Sequence, residues 1–222
     1  MTDGRHLLAI DTSTSVAVVA LGDSTGRLEA EDDWSAGYRH GEELLPRIRA
    51  VLGRRGVGLQ DLGGVIVGTG PGAFTGLRVG IATAKGLAHA LAIPIAGMPS
   101  GEALLAAAGE KATVLLLPAG PNDRVAVRRG DRPERLAGGT EPALTPGDVL
   151  VAVDLDGRAP DDAAARGEEA RGGLGAALLK LGAERLAAGS GDELAHLVPE
   201  YVTLPRGVAA TTGEVAWSRD PR

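Results

Sequence analysis

Residues 68–86 read GTGPGAFTGLRVGIATAKG. Just upstream, Leu62–Val67 is an almost continuous apolar run, short enough to be a buried strand. Downstream, Leu77, Ile81, Ala84, Ala88 and Leu91 fall on one face of a helix predicted over Thr75–Leu91, which Pro94 stops. Gly68, Gly70, Gly72 and Gly76 therefore sit at a strand-to-helix turn. Glycine there permits positive φ and lets a backbone or a ligand approach closely. Pro71 fixes one bend, and Thr75 is expected to cap the helix. Free N–H groups at a helix start favour an anion. No Gly-Lys-Ser/Thr closes the turn, so it is not a P-loop. The loose G-x-G-x-x-A match lacks the acidic residue of a dinucleotide site, because Ala88, His89 and Ala90 stand about 20 residues on. By itself the motif reads equally as a structural turn and as a ligand or partner contact.

The helix beyond the turn is built from small residues: Gly76, Gly80, Ala82, Ala84, Gly86, Ala88 and Ala90. An interior glycine costs about 0.5–1 kcal/mol against alanine. Close packing by another element, of the same chain or of a second one, offsets that cost most simply.

Working outward, Leu7–Ile10, Val16–Leu21 and Arg27–Asp33 read as an antiparallel meander, with Asp11–Ser15 as its first turn. His40–Leu52 is a helix, with Leu44, Leu45, Ile48, Val51 and Leu52 on one face. Ile95–Gly97 is a short strand and Glu102–Ala108 a helix. A second half follows, with strands at Thr113–Leu117, Arg124–Arg129 and Val149–Val153 and a helix at Ala176–Ala188. Asp154–Gly173, acidic and rich in Gly and Ala, is expected to be a solvated loop, and Val208–Arg222 a frayed polar tail. The natural boundary divides residues 1–108 from 109–222.

The 222 residues carry a net charge of −6 and are 44% hydrophobic but only 2% aromatic, so the core is aliphatic. That charge disfavours a free-standing nucleic-acid binder. The absence of cysteine excludes disulfides, thiolate metal sites and cysteine nucleophiles. No apolar run approaches a membrane span. With no signal peptide read at the N-terminus, a cytoplasmic location is expected.

Other candidates are weaker. Asp11 at the end of the first strand could hold a metal or simply form an Asx-turn. His40, Glu42 and Glu43 open a helix, but Leu44 stands where a metal pair needs a second histidine. Arg124, Arg128, Arg129, Arg132 and Arg135 could touch phosphate, but Asp123, Asp131 and Glu134 interleave them, which favours a solvated surface.

Together, Leu8–Thr14 (LAIDTST), His40–Ile48 (HGEELLPRI), Gly68–Gly86 and Ile93–Gly97 (IPIAG) resemble the TsaB (YeaZ) family, and Pro199–Val202 resembles its C-terminal Pro-x-Tyr-Leu element. The resemblance implies an α/β, actin-like (ASKHA, ribonuclease H-like) fold of two related halves. It implies a non-catalytic subunit, without a resident metal, that pairs with TsaD in making threonylcarbamoyladenosine beside the anticodon of tRNA. ATP and magnesium would be handled by TsaD and by the TsaE ATPase, and a homodimer could form when the chain is alone. The implied partner-binding residues are His40, Glu43, Leu44, Arg47, Ile48, Leu77, Gly80, Ile81 and Ala84. Bulky residues at Gly80 or Ala84 are expected to abolish pairing and spare the fold. Nucleotide, if it touches this chain, would meet Asp11, Gly68, Gly70, Gly72, Thr75 and Gly76. The rival reading is a working actin-like ATPase or phosphotransferase using Asp11 and the Gly68–Gly76 turn. The family's Ile-Asp-Ala-Arg-like stretch is replaced by Leu117–Arg124, so its roles do not transfer.

Overall fold

The computed structural model describes residues 5–35, 37 and 40–202, with the side chain of His40 outside that set. The expectation of a frayed tail at Val208–Arg222 lies outside the described residues.

The meander forms as β1 (His6–Asp11), β2 (Val16–Gly22) and β3 (Leu28–Ser35). Helix α1 (His40–Arg54) leads to β4 (Leu62–Gly70), α2 (Phe74–Leu91), β5 (Ile95–Pro99) and α3 (Ser100–Ala107). The strands make one sheet in the order β3-β2-β1-β4-β5, with β1–β3 antiparallel and β4 and β5 parallel to β1. The second segment contributes β6 (Val114–Pro118), β7 (Arg124–Arg128), β8 (Glu134–Leu136) and β9 (Leu150–Ala152), ordered β8-β7-β6-β9. This repeats the first four positions of the first sheet. Two sheets of matching order are the two related halves of the actin-like fold; among the described residues the second has no helix between β8 and β9 and no fifth strand.

Strand patterning dictates the layers. Leu8, Ile10, Val65 and Val67 face α1 and α2, whereas Leu7, Ala9 and Ile66 face α3 and α5 (Leu174–Ala187). Period-two alternation with both sets apolar is what a strand buried on two faces requires. The two sheets are contributed by the segments before and after α3, but α5 comes from the second segment and packs on the first sheet. One core joins them, including Leu104, Leu115, Val151 and Leu178.

Two expectations need correction. Asp154–Gly173 is not all loop, because α4 occupies Asp161–Gly172. Its polar composition hides a helix whose buried residues are only Ala163, Gly167 and Ala170, side chains too small to give a periodic apolar signal. Thr75 does not cap α2: Ala73 is the N-cap and makes no side-chain bond, while Thr75 is exposed in the first turn.

Glu31 on β3 meets the start of α5 and accepts the N–H of Gly175. Burial, then the neighbouring Asp33 charge, push its carboxyl up to about 7. The folded chain thus keeps this proton to about pH 7, while the unfolded chain releases it near the ordinary glutamate value of about 4.3. Between those limits the folded state binds more protons, so this group's contribution to stability falls as pH rises. Glu31→Gln is expected to flatten that part of the pH profile, as urea titrations at pH 5 and pH 8 would show.

Candidate functional site

The strand-to-helix turn packs on the first turn of the meander. Asp11 is fully buried at the end of β1. Its Oδ2 accepts from Ser100 Oγ at 2.6 Å, and its Oδ1 from the Ser13 N–H at 2.7 Å. The Gly70 N–H donates in turn to Ser100 Oγ at 3.1 Å. Burial raises the Asp11 carboxyl above the ordinary range, and the Ser100 and Ser13 contacts offset only part of that shift. The glycines are set by this packing. A Cβ on Gly68 would lie 1.8 Å from Asp11 Oδ2, and one on Gly72 would lie 2.2 Å from the Ser13 carbonyl oxygen. Gly70 has φ +104°. Thr12 Oγ1 donates to the Gly76 carbonyl at 2.7 Å, and Ala73 N–H to the Ser13 carbonyl at 2.7 Å.

The second half closes on the same turn. Asp154, held at φ +58°, accepts from the Ser15 N–H at 2.6 Å and the Ser15 hydroxyl at 2.5 Å. Arg171 Nη1 donates to the same carboxylate at 3.0 Å. A cleft of about 1200 Å³ opens beside this junction, lined by Ser13–Ser15, Pro71–Phe74, Leu117–Pro121 and Glu200–Val202 among others. The Pro199–Val202 stretch returns to the turn, with the Glu200 N–H donating to the Thr69 carbonyl at 2.8 Å.

The expected partner-binding set divides in two. Leu44, Ile48, Leu77, Ile81 and Ala84 are at most 4% exposed; Leu44, Ile48, Ile81 and Ala84 belong to the core between α1, α2 and the sheet, and Leu77 lies buried against the turn at Gly70. A Cβ on Gly80 would lie 2.3 Å from Thr12 Oγ1. The expectation that bulky residues at Gly80 or Ala84 spare the fold therefore fails, since both sites are filled by this chain. Glu43 and Arg47 are half-buried and lie 3.6 Å apart. Arg47 also pairs with Asp32 at 3.0 Å and sits over Trp34. His40 opens α1, with its side chain outside the described residues. The exposed face of the two helices carries other residues: Leu45, Arg49 and Gly53 on α1, and Arg78, Ala82 and Gly86 on α2. A Cβ on Gly86 or Gly53 would meet nothing within 4 Å.

Four of the five arginines of that stretch are engaged within the chain, while Arg132 is exposed. Arg124 is buried, donating to the Thr140 carbonyl and pairing with Glu141. Arg128 pairs with Asp148 and Arg135 with Asp123, while Arg129 donates to the Leu105 and Gly109 carbonyls at the end of α3.

Comparison with known proteins gives concordant matches. The solved structure of YeaZ from Pseudomonas aeruginosa is 27% identical, with a TM-score of 0.65, covering 89% of this chain and all of that one. The tRNA threonylcarbamoyladenosine biosynthesis protein TsaB of Escherichia coli is 37% identical over 93 residues, 42% of this chain and 39% of that protein. TsaB of Haemophilus influenzae is 38% identical over 107 residues, 47% and 43% of the two chains. The chain thus spans less than half the length of these curated relatives. The family model described as TsaD: tRNA N6-adenosine threonylcarbamoyltransferase matches residues 35–167. The chain belongs to this family, on its TsaB (YeaZ) side.

An actin-like fold implies a nucleotide and its metal near the end of β1. In this TsaB-family chain the residues there do not fit a metal. Both Asp11 oxygens already accept hydrogen bonds, in a fully buried site with no second carboxylate or histidine among the described residues beside it to complete a ligand set. Among the described residues no group of three or more His, Asp or Glu side chains could hold a metal ion. No helix among them is long and apolar enough to cross a membrane. Sequence reasoning missed Ser100 and Asp154, which are isolated polar residues in the chain and acquire partners 89 and 139 residues away.

Gly68→Ala and Gly80→Leu are expected to cost roughly 1–3 kcal/mol or more, as overpacking does. Urea unfolding checks this: wild-type midpoints for both variants would contradict the packing described.

Proposed function

We propose that this chain is a non-catalytic scaffold subunit for threonylcarbamoyl transfer to the tRNA adenosine beside the anticodon, acting by pairing with a TsaD-like subunit. The observation that carries the reading is the outer face of α1 and α2. Ala82 and Gly86 recur one helical turn apart with open space above Gly86, and Leu45 stands 51% exposed on the adjoining helix. Small side chains let another helix approach closely, and nothing in this chain's fold requires glycine at Gly86. Pairing there would form a four-helix layer and offset the intrinsic helix cost of that residue. A second copy could take the same face when the partner is missing.

The polar site supports the scaffold role. Both Ser15 donors of the first turn are given to Asp154, and the Asp11 oxygens accept from Ser100 and Ser13. In this reading TsaD-like and TsaE-like partners handle ATP and magnesium, and tRNA reaches the chain only through the assembly. The rival, an actin-like ATPase, has the cleft beside the start of α2 in its favour. Titration with Mg-ATP separates them: tight binding by the isolated chain, lost in Asp11→Ala, would support the rival.

Gly86→Leu and Ala82→Leu should leave circular dichroism and the unfolding midpoint near wild type and abolish co-purification with the TsaD-like subunit. Omitting the chain from a mixture of the partner subunits, tRNA, ATP, threonine and bicarbonate should abolish modification. Unchanged modification on omission would end the assignment.

A further inference from the structure

Arg78 lies on the exposed side of α2, one turn before Ala82 and two before Gly86. Its Nε donates to the Tyr201 hydroxyl at 2.9 Å. Its guanidinium carbon sits 3.8 Å from the centre of the Phe74 ring and 5.9 Å from that of Tyr201. The two rings are themselves 5.1 Å apart. Tyr201 is fixed by its neighbour Glu200, whose backbone is tied to Thr69. Thus a phenylalanine and an arginine one turn apart on α2 and a tyrosine 123 residues further along the chain form one stack at the surface.

Most other arginines named above end on a carboxylate, as Arg47, Arg124, Arg128, Arg135 and Arg171 do. No carboxylate pairs with Arg78 among the described residues, and α2 contains no acidic side chain. An arginine side chain is rich in rotamers, and binding normally has to remove that freedom. Here Tyr201 and Phe74 already hold the side chain, and among the described residues one of its five N–H donors, Nε, finds an acceptor. The remaining fork of Nη donors matches the two oxygens of a carboxylate. Preordered arginines beside close-packed patches are the usual energetic centres of interfaces.

We propose that Arg78 is the carboxylate anchor of the α1–α2 face: the partner chain presents an Asp or Glu to its Nη edge when its helix lies across Ala82 and Gly86. Phe74 and Tyr201 are positioning residues that keep the fork in place. The inference rests on the pairing with a TsaD-like subunit put forward above. An RNA phosphate offers similar acceptor chemistry, but a chain of net charge −6, with Glu200 beside Tyr201, disfavours a polyanion.

The test measures the dissociation constant of the full chain with the TsaD-like subunit by calorimetry, at two salt concentrations. Arg78→Lys keeps the charge and loses the fork; it should weaken binding roughly tenfold, and Arg78→Glu by about 100-fold or more. Tyr201→Phe keeps the ring and loses the hydroxyl. It should weaken binding several-fold in the wild-type background and have no further effect beside Arg78→Lys, the signature of a residue acting through Arg78. Unfolding midpoints should stay near wild type. Gly86→Leu serves as the control for pairing. If Gly86→Leu abolishes the complex while both Arg78 variants bind like wild type, the anchor is overturned and the pairing stands. If neither site affects binding, the pairing reading falls and the anchor with it. Loss of tRNA binding by the isolated chain, or of self-association alone, without loss of partner binding would also overturn it.

Discussion

The buried carboxyl of Asp11 ties together the ends of three elements. It joins β1 to the start of α3 through Ser100, and Ser100 joins both to the end of β4 through Gly70. Such a group is costly to bury unless its oxygens find donors. Two are supplied, one from Ser100 and one from the Ser13 backbone. The arrangement closes only if Gly68 has no side chain, because any Cβ would coincide with the Asp11 oxygen. The glycine-rich turn is therefore first of all the complement of a carboxyl group. Its position fixes where α2 begins and which face α2 turns outward.

From that constraint the glycines of α2 separate into two kinds. Gly80 is small because Thr12 lies against it, and its requirement is met within the chain. Gly86 has open space above it. The same residue type, six positions apart on one helix, thus serves core packing in one case and leaves a bare surface in the other. The α1–α2 layer is apolar and sealed underneath, with Leu44, Ile48, Ile81 and Ala84 in the core. Its outer side is small and shallow with a prearranged arginine at one end.

The two halves have diverged unevenly. The second sheet keeps the strand order of the first but loses the helix between its third and fourth strands. Helix α5 crosses back to cover the first sheet, so the halves are held by a shared core as well as by the Asp154–Ser15 contact. Arg171 neutralises that carboxylate where it meets the first turn. The contact uses polar donors of the turn within the chain itself.

The sequence by itself determined the strands and helices of the first half, the actin-like class, the family and the aliphatic core. Alternating or continuous apolar runs and the Gly68–Gly86 pattern are local signals, and each survives in a stretch of a few residues. It did not reveal α4, whose buried side chains are too small to mark a face, or the exchange of donors between Ser15 and Asp154. Nor could it separate core from interface on α1 and α2. Leu44 and Leu45 are adjacent and chemically identical, yet one is 1% exposed and the other 51%. Gly80 and Gly86 differ only in what stands above them. Those assignments depend on which distant element each side chain meets, and only the tertiary structure decides that, because burial belongs to the packed assembly of elements and not to any one of them.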